Sequence, residues 1–269
     1  YGLIYGKLGM PEIGFNGAAY ASIIAEVAGL AVVFLVIRFQ NFDKSFHLGV
    51  KRSFSIPVSR HILYRSSPLI MQYAISIITW EYFYILIEHH GARALAVSNT
   101  MRNIFGVTGI FSWAFAATAN TMVSNLIGQG RSEEVMVLIR RIVITSLAFC
   151  LPLILLLNIQ PGWFLGFYGM GQDFIDYAIP VLRVVSVALA LMSFSSVWLN
   201  AVTGTGNTKV NLAIEIGAIT VYIIYVWLTL EYLRWSLAWG WGSEIVYWMF
   251  MFTPAYLYMK SGRWKGKVI

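Results

Sequence analysis

Charged residues are scarce in this sequence. Only 12% of its 269 residues are Asp, Glu, Lys or Arg, whereas 58% belong to the hydrophobic set. A soluble domain needs roughly 25% charged residues to cover its surface with water-compatible side chains. The shortage argues against an ordinary soluble globular protein and predicts a chain that lies in a lipid bilayer.

Cysteine is almost absent as well. The single Cys150 lies within an apolar run, which leaves no basis for a disulfide framework or a cysteine-based metal site. The sequence also lacks a nucleophile elbow and a phosphate-binding loop, so we expect no enzyme. It begins at Tyr1 without an initiator methionine or a signal-peptide pattern, and we therefore expect a fragment of a longer protein.

The formal charge of +7 has two interpretations. A nucleic-acid-binding protein concentrates Lys and Arg on a solvated face with interleaved aromatic residues. Here the basic residues occupy short gaps between apolar runs, which is typical of loops close to anionic lipid head groups. We therefore expect the lipid bilayer, and no nucleic acid, as a partner.

Long apolar runs are abundant. About 20 apolar residues in a helix span the roughly 30 Å of hydrocarbon in a bilayer. Segments of that length occupy residues 14–37, 66–87, 95–127, 137–159, 178–201, 210–230 and 236–259. The sequence thus predicts an all-α integral membrane protein with seven transmembrane helices.

The Lys and Arg residues between these spans are distributed unequally. Fourteen fall on one side, six of them in residues 38–65, whereas the opposite gaps hold Lys7, Arg93 and Arg234. The positive-inside rule places the first side, with the tail of residues 260–269, in the cytoplasm. We expect the inner (plasma) membrane of the cell. Residues 39–65 then form a cytoplasmic linker, which either lies on the membrane surface or is an ordinary solvated connector.

Three stretches of the chain contain small residues, glycines and turn signals. They read GKLGMPEIGFNGAAYASIIAEVAG (residues 6–29), NLIGQGRSEE (125–134) and NAVTGTGNTKVN (200–211). Small residues allow close helix approach, and glycines end helices or form tight turns. The order and separation of these stretches resemble the multidrug and toxic compound extrusion (MATE) family of efflux transporters, in particular its bacterial members.

The resemblance implies a fold of twelve helices in two lobes of six. On that plan residues 1–38 contain the last helix of the N-terminal lobe, at 14–37, and residues 66–259 form the six-helix C-terminal lobe. The implied function is a cation-coupled antiporter that exports drugs and other amphipathic or cationic small molecules. The coupling ion would be H⁺ or Na⁺, with no cofactor, in a protein that is monomeric at full length.

Carboxylates within the spans are the candidate coupling residues, because a charge there costs at least about 2.5–3.5 kcal/mol. Glu81 is the first of them, and the resemblance implies that it binds Na⁺ or a proton. Tyr84 lies on the same helix face, and Glu244 lies at a similar depth in the last span. The family branch with such a glutamate pairs it with an aspartate, where this chain has Met192. That departure favours a proton at Glu81 over a two-carboxylate sodium site.

A second set of residues is expected to line a substrate cavity. Aromatic rings can stack on flat, cationic organic molecules, and polar side chains within spans can orient them. The expected lining residues are Trp80, Glu88, Arg102, Ser196, Asn200, Glu215 and Tyr222.

A purely structural interpretation of the same charges is open. Glu81 or Glu244 could form an ion pair with Arg102 or Arg183 inside the bundle. Glu215 could pair with Lys209 near the cytoplasmic surface.

Two other functions stay open beside antiport. A lipid-linked oligosaccharide flippase of related architecture would be expected to have a cationic central cavity. A non-transporting membrane scaffold would gain stability by losing Glu81 and Glu244, so the presence of these residues argues against it.

Overall fold

The regular structure of this protein is helical. The computed structural model describes residues 2–42 and 54–265, and every regular element in these ranges is a helix. The chain divides into two compact units, Tyr1–Pro57 and Val58–Ile269. Residues 43–53, the middle of the predicted linker, lie outside the described residues.

The first unit contains the short helix α1 (Gly2–Tyr5) and the 25-residue helix α2 (Phe15–Phe39). At 1.5 Å per residue, α2 is long enough to cross the hydrocarbon layer. A Cβ atom at Gly17 would collide with the backbone carbonyl of Leu3. The small residue at the start of α2 therefore allows α1 to pack against it, as the sequence indicated.

The second unit is a helical bundle. Its helices are α3 (Ile56–Glu88, whose first two residues precede the unit boundary), α4 (Ala92–Gly128), α5 (Val135–Ile159), the short α6 (Pro161–Gly166), α7 (Gln172–Gly204), α8 (Thr208–Val226) and α9 (Leu237–Lys260). A 3₁₀ turn, Ser132–Glu134, precedes α5, and a π-helical turn, Trp227–Tyr232, extends α8. Each predicted span falls on one of the long helices, α8 together with its π-helical turn.

Five helical segments of the described chain are long and apolar enough to cross a membrane. They are Phe15–Phe39, Ile56–Glu88, Ser132–Ile159, Gln172–Gly204 and Thr208–Tyr232. Helices α4 and α9 are as long but contain many Ser, Thr, Asn, Trp and Tyr residues, which lower mean hydropathy while serving helix packing and interfacial positions. The protein is thus an all-helical, multi-pass membrane protein.

Helix α3 begins ten residues before the predicted span. Its first turn contains Pro57, which is tolerated there because the missing N–H would have no helical partner. This part of the helix contains polar and basic side chains such as Arg60 and Arg65, so a search for apolar runs does not detect it. Helix α3 therefore begins at Ile56, inside the predicted linker of residues 39–65.

Helix α7 lies at the centre of the second unit and packs against α4, α5, α8 and α9. It contributes to two clusters of buried hydrophobic residues. One surrounds Trp241 and Phe83, and the other surrounds Trp264 and Ile139. Trp264 belongs to the predicted cytoplasmic tail. The residue is nevertheless 1% exposed, and its indole N–H donates a hydrogen bond to the carbonyl of Met259 at 2.8 Å. The start of the tail therefore packs on the bundle.

Both glycine-containing turns predicted from the sequence are confirmed. Helix α4 ends at Gly128, and Gly130 follows with φ of 76°. Helix α7 ends at Gly204, and Gly206, with φ of 74°, leads to Asn207 at the N-cap of α8. Positive φ explains the glycines at 130 and 206, because other residues adopt it at a cost.

Helix α7 approaches α4 closely at Gly204, and this contact carries a prediction about stability. A Cβ atom there would lie 2.6 Å from the carbonyl oxygen of Asn120 and 3.1 Å from Cβ of Val123. Gly204→Ala should therefore destabilise the protein by about 1–3 kcal/mol through overpacking. Thermal unfolding in detergent measures the change, and Gly128→Ala, which would meet no atom within 4 Å, is the control. An equal melting temperature for both variants would contradict the prediction.

Candidate functional site

A cavity of about 1160 Å³ opens within the second unit. It lies between α3, α4, α7, α8 and α9, and it is at least as large as ordinary pockets for small organic ligands. The predicted residues that line it are Trp80, Glu81, Arg102, Ser196, Asn200, Glu215, Tyr222 and Glu244. Side chains that are up to 164 positions apart in the sequence thus meet around one space.

Glu88 does not line this cavity, contrary to expectation, and neither does Tyr84, which was predicted as a coupling residue. The Tyr84 ring is buried, and its hydroxyl donates to the backbone carbonyl of Ser98 at 3.0 Å. That hydroxyl is therefore already engaged away from the cavity. Glu88 is the exposed last residue of α3, where the chain reverses direction into α4. Both residues share a helix face with Glu81, but they lie too far along α3.

Glu81 faces the cavity without a bonded neighbour. It is exposed, and within residues 2–42 and 54–265 it forms no hydrogen bond or ion pair. The guanidinium of Arg102 instead lies over the ring of Tyr84, 5.7 Å from its centre. In the described part of the chain, no ion pair joins Glu81 or Glu244 to Arg102 or Arg183. The structure therefore does not contain the ion pairs that a purely structural role of these acids would require.

The sodium site that the resemblance implied at Glu81 does not fit its surroundings. A hard cation needs several oxygen ligands that converge on one point. No described side chain is hydrogen bonded to Glu81, so no oxygen ligands are seen to converge on it. Met192, where the family branch has an aspartate, lines the same cavity and offers no carboxylate.

Glu244 is a buried acid on α9. It is 4% exposed, and its Oε2 accepts a hydrogen bond from the indole N–H of Trp248 at 3.2 Å. The hydroxyl of Tyr222, which lies near Glu244, has no partner with hydrogen-bonding geometry. This side of the cavity thus combines a desolvated carboxylate with the nearby hydroxyl group of a buried tyrosine.

Glu215 on α8 is the most completely bonded of the cavity acids. Its Oε1 accepts hydrogen bonds from the hydroxyl groups of Ser76, at 2.6 Å, and Tyr247, at 2.7 Å. Its Oε2 accepts one from the amide of Gln72 at 3.1 Å. The predicted pairing with Lys209 is wrong, because the ammonium of Lys209 donates to the hydroxyl of Tyr64 at 2.9 Å.

The partners of Glu215 were missed by sequence reasoning, although a signal exists. Gln72 and Ser76 are four residues apart within an apolar stretch of α3, and Asn211 and Glu215 are four residues apart on α8. Residues with this spacing lie on one face of a helix. Two such polar faces in neighbouring spans would have indicated a polar contact between helices, which the structure contains.

The charges around the cavity are unbalanced. Its lining contains the carboxylates of Glu81, Glu215 and Glu244, and Arg102 as a basic residue. Aromatic side chains complete the lining: Tyr73, Trp80, Phe105, Trp113, Tyr222, Tyr247 and Trp248. Acids attract organic cations through charge, and aromatic rings attract them through cation–π contacts. The cavity is therefore suited to a flat, positively charged molecule.

A known bacterial protein is similar to this chain over its whole length. The chain is 23% identical over 274 aligned residues to a "Probable multidrug resistance protein NorM" from Thermotoga maritima. The alignment includes the whole of this chain and 58% of that protein. The chain thus spans little more than half the length of the relative it matches.

Solved structures share the fold of the chain. An outward-facing multidrug resistance MATE family transporter of the MOP superfamily superposes with a TM-score of 0.68 over 77% of this chain and 47% of its own, at 14% identity. A MOP superfamily transporter from Pyrococcus furiosus superposes with a TM-score of 0.64 over 74% of this chain and 44% of its own, also at 14% identity. For that protein, reverse polarity of the binding pocket suggests a different function.

The family model of MatE matches residues 68–228, which is more than half of the chain and runs from α3 into the π-helical turn after α8. The match agrees with the fold shared with the solved transporters. The chain belongs to the MatE family, the multidrug and toxic compound extrusion transporters.

Proposed function

We propose that this chain supplies the substrate cavity of a transporter that exports amphipathic organic cations, in exchange for H⁺ or Na⁺. The observation that carries the proposal is the acidic, aromatic cavity within the second unit. An organic cation bound there would exchange its hydration for contacts with ring faces and carboxylates. The named relatives, a multidrug resistance protein and a multidrug resistance transporter, support drugs as substrates.

The proposed topology has seven membrane crossings, α2 to α5 and α7 to α9, in the inner membrane. The fourteen-to-three distribution of Lys and Arg supports a cytoplasmic C-terminus. With this orientation Glu81 lies in the outer half of the membrane, and Glu215 lies nearer the cytoplasm, because α3 leaves the cytoplasm and α8 begins there.

The proposed mechanism is alternating access. A coupling cation neutralises a carboxylate in the cavity, and the change in charge alters both the affinity for substrate and the preferred arrangement of the transporter. Glu81, Glu215 and Glu244 are the candidate acids, because each lines the cavity. The substrate and the coupling ion would then compete for negative charge in one compartment, which supports antiport.

The composition of the cavity argues against the alternative functions. A flippase for anionic lipid-linked sugars would need basic residues, whereas this lining has three carboxylates and Arg102. A scaffold would have no reason to keep buried acids such as Glu215, at 1% exposure, and Glu244, at 4%. The polarity of the pocket is therefore the property that an experiment should test.

The proposal predicts discrimination by charge. The full gene product, produced in a bacterium that lacks its own drug pumps, should lower the accumulation of a cationic aromatic dye by severalfold and leave that of an anionic dye of similar size unchanged. Dye fluorescence in cells measures both, in sodium and in choline media. Export of the anionic dye alone would overturn the proposed substrate class, and export of neither dye would overturn the proposed function.

A further inference from the structure

A buried carboxylate in this bundle has hydrogen-bond partners but no opposite charge. Glu215 is 1% exposed, and in the part of the chain that the structure describes no Lys, Arg or His forms an ion pair with it. An uncompensated charge in the interior costs several kcal/mol. The three neutral donors reduce this cost, but they supply no net charge.

The groups around Glu215 can also act as ligands for a cation. A hydroxyl group has lone pairs as well as a hydrogen, and an amide has a carbonyl oxygen as well as an NH₂ group. Ser76 and Tyr247 could each turn a lone pair toward an ion while Glu215 keeps both of its oxygens in place. Oxygen ligands of this kind, one carboxylate among neutral groups, suit a hard monovalent cation such as Na⁺.

Asn211 provides an independent observation at the same place. Its amide N–H donates to Oε1 of Gln72 at 2.6 Å, while its own Oδ1 is buried and has no hydrogen-bond partner. Asn211 as a whole is 2% exposed. A buried carbonyl oxygen without a donor is uncommon and destabilising. A cation beside Glu215 would give this oxygen a partner.

We propose that Glu215, Ser76, Tyr247, Gln72 and Asn211 form the sodium site of this protein, joining α3, α8 and α9. The inference rests on the proposed function, because it names where the coupling ion binds. Both oxygens of Glu215 accept hydrogen bonds from neutral donors, which hold the carboxylate in a fixed position for an ion.

Sodium binding can be measured without transport. The purified full gene product, in detergent, is heated in increasing NaCl, with choline chloride keeping ionic strength constant. A ligand that binds the folded state raises the melting temperature in a saturable way. We expect such a rise in the unchanged protein and its loss in Glu215→Gln. Glu88→Gln, which changes an exposed acid of α3 outside this cluster and outside the cavity, should retain it.

Ser76→Ala provides a second test that holds even if Glu215→Gln does not fold. It removes one proposed ligand oxygen and should raise the sodium concentration at half-maximal shift by at least about fivefold. Three results would overturn the proposal: a sodium-dependent shift retained in Glu215→Gln, a shift lost in Glu88→Gln as well, or no sodium-dependent shift in the unchanged protein. The dye assay is scored separately, so sodium binding without dye export would overturn the proposed function and leave this site in place.

Discussion

Glu81→Gln is expected to reduce export of a cationic dye by about tenfold. Its carboxylate faces the cavity and forms no hydrogen bond or ion pair within the described residues, so its charge is available to a substrate. Glutamine keeps the size and removes the charge, which weakens attraction to a cation in a partly desolvated space. Initial rates of dye efflux from loaded cells, corrected for protein abundance, measure the effect.

Glu88→Gln is the matched control for this experiment. It removes the same charge from the same helix, seven residues away, but at an exposed position that does not line the cavity. We expect an efflux rate equal to that of the unchanged protein. Equal losses in both variants would assign the effect to the overall charge of the outer surface and would reject a substrate role for Glu81.

Trp241→Ala is expected to destabilise the protein by about 3–5 kcal/mol. The side chain is 0% exposed, and its ring centre lies 5.3 Å from that of Phe83 and 5.8 Å from that of Phe105. Its indole N–H also donates to the hydroxyl of Ser98 at 3.1 Å. Removal would leave a large void between α3, α4 and α9, and membrane helices depend on such packing because burial from lipid contributes little.

Trp239→Ala controls for the loss of a tryptophan from the same helix. Trp239 is 57% exposed and lies two residues from Trp241, so its removal leaves the core intact. Thermal unfolding of both variants in the same detergent should show a fall of several degrees for Trp241→Ala and little change for Trp239→Ala. A similar melting temperature for the two would mean that the aromatic cluster contributes little to stability.

The long helices could be predicted from the sequence because a bilayer imposes one simple requirement. A span must present about 20 consecutive residues that lipid tolerates, and its backbone must satisfy its own hydrogen bonds. Both constraints act along the chain, so they are visible as apolar runs. The start of α3 at Ile56 was not visible because polar and basic side chains interrupt its apolar pattern. The burial of Trp264 was not visible because it depends on a cluster with residues far away in the sequence, such as Ile139.

The candidate functional site was likewise predictable only in part from the sequence. Sequence reasoning selected Glu81, Glu215 and Glu244 because a charge within an apolar run is costly, and all three line one cavity. It could not show that Glu81 forms no hydrogen bond or ion pair with the described residues, whereas Glu215 accepts hydrogen bonds from three side chains. That distinction depends on which faces of α3, α8 and α9 meet, and helix spacing alone does not determine how neighbouring helices are rotated.

By itself, the sequence determined that this is a helical membrane protein, where its long apolar helices lie apart from the polar first ten residues of α3, and which family it resembles, since apolar length and glycine-marked turns are local properties. Only the tertiary structure decided which charges share a cavity and which acid is surrounded by oxygen ligands. The physical reason is that hydrogen bonds such as those from Ser76 and Tyr247 to Glu215 join residues separated by 139 and 32 positions. Such contacts are formed by packing between helices, and no local pattern in the chain specifies them.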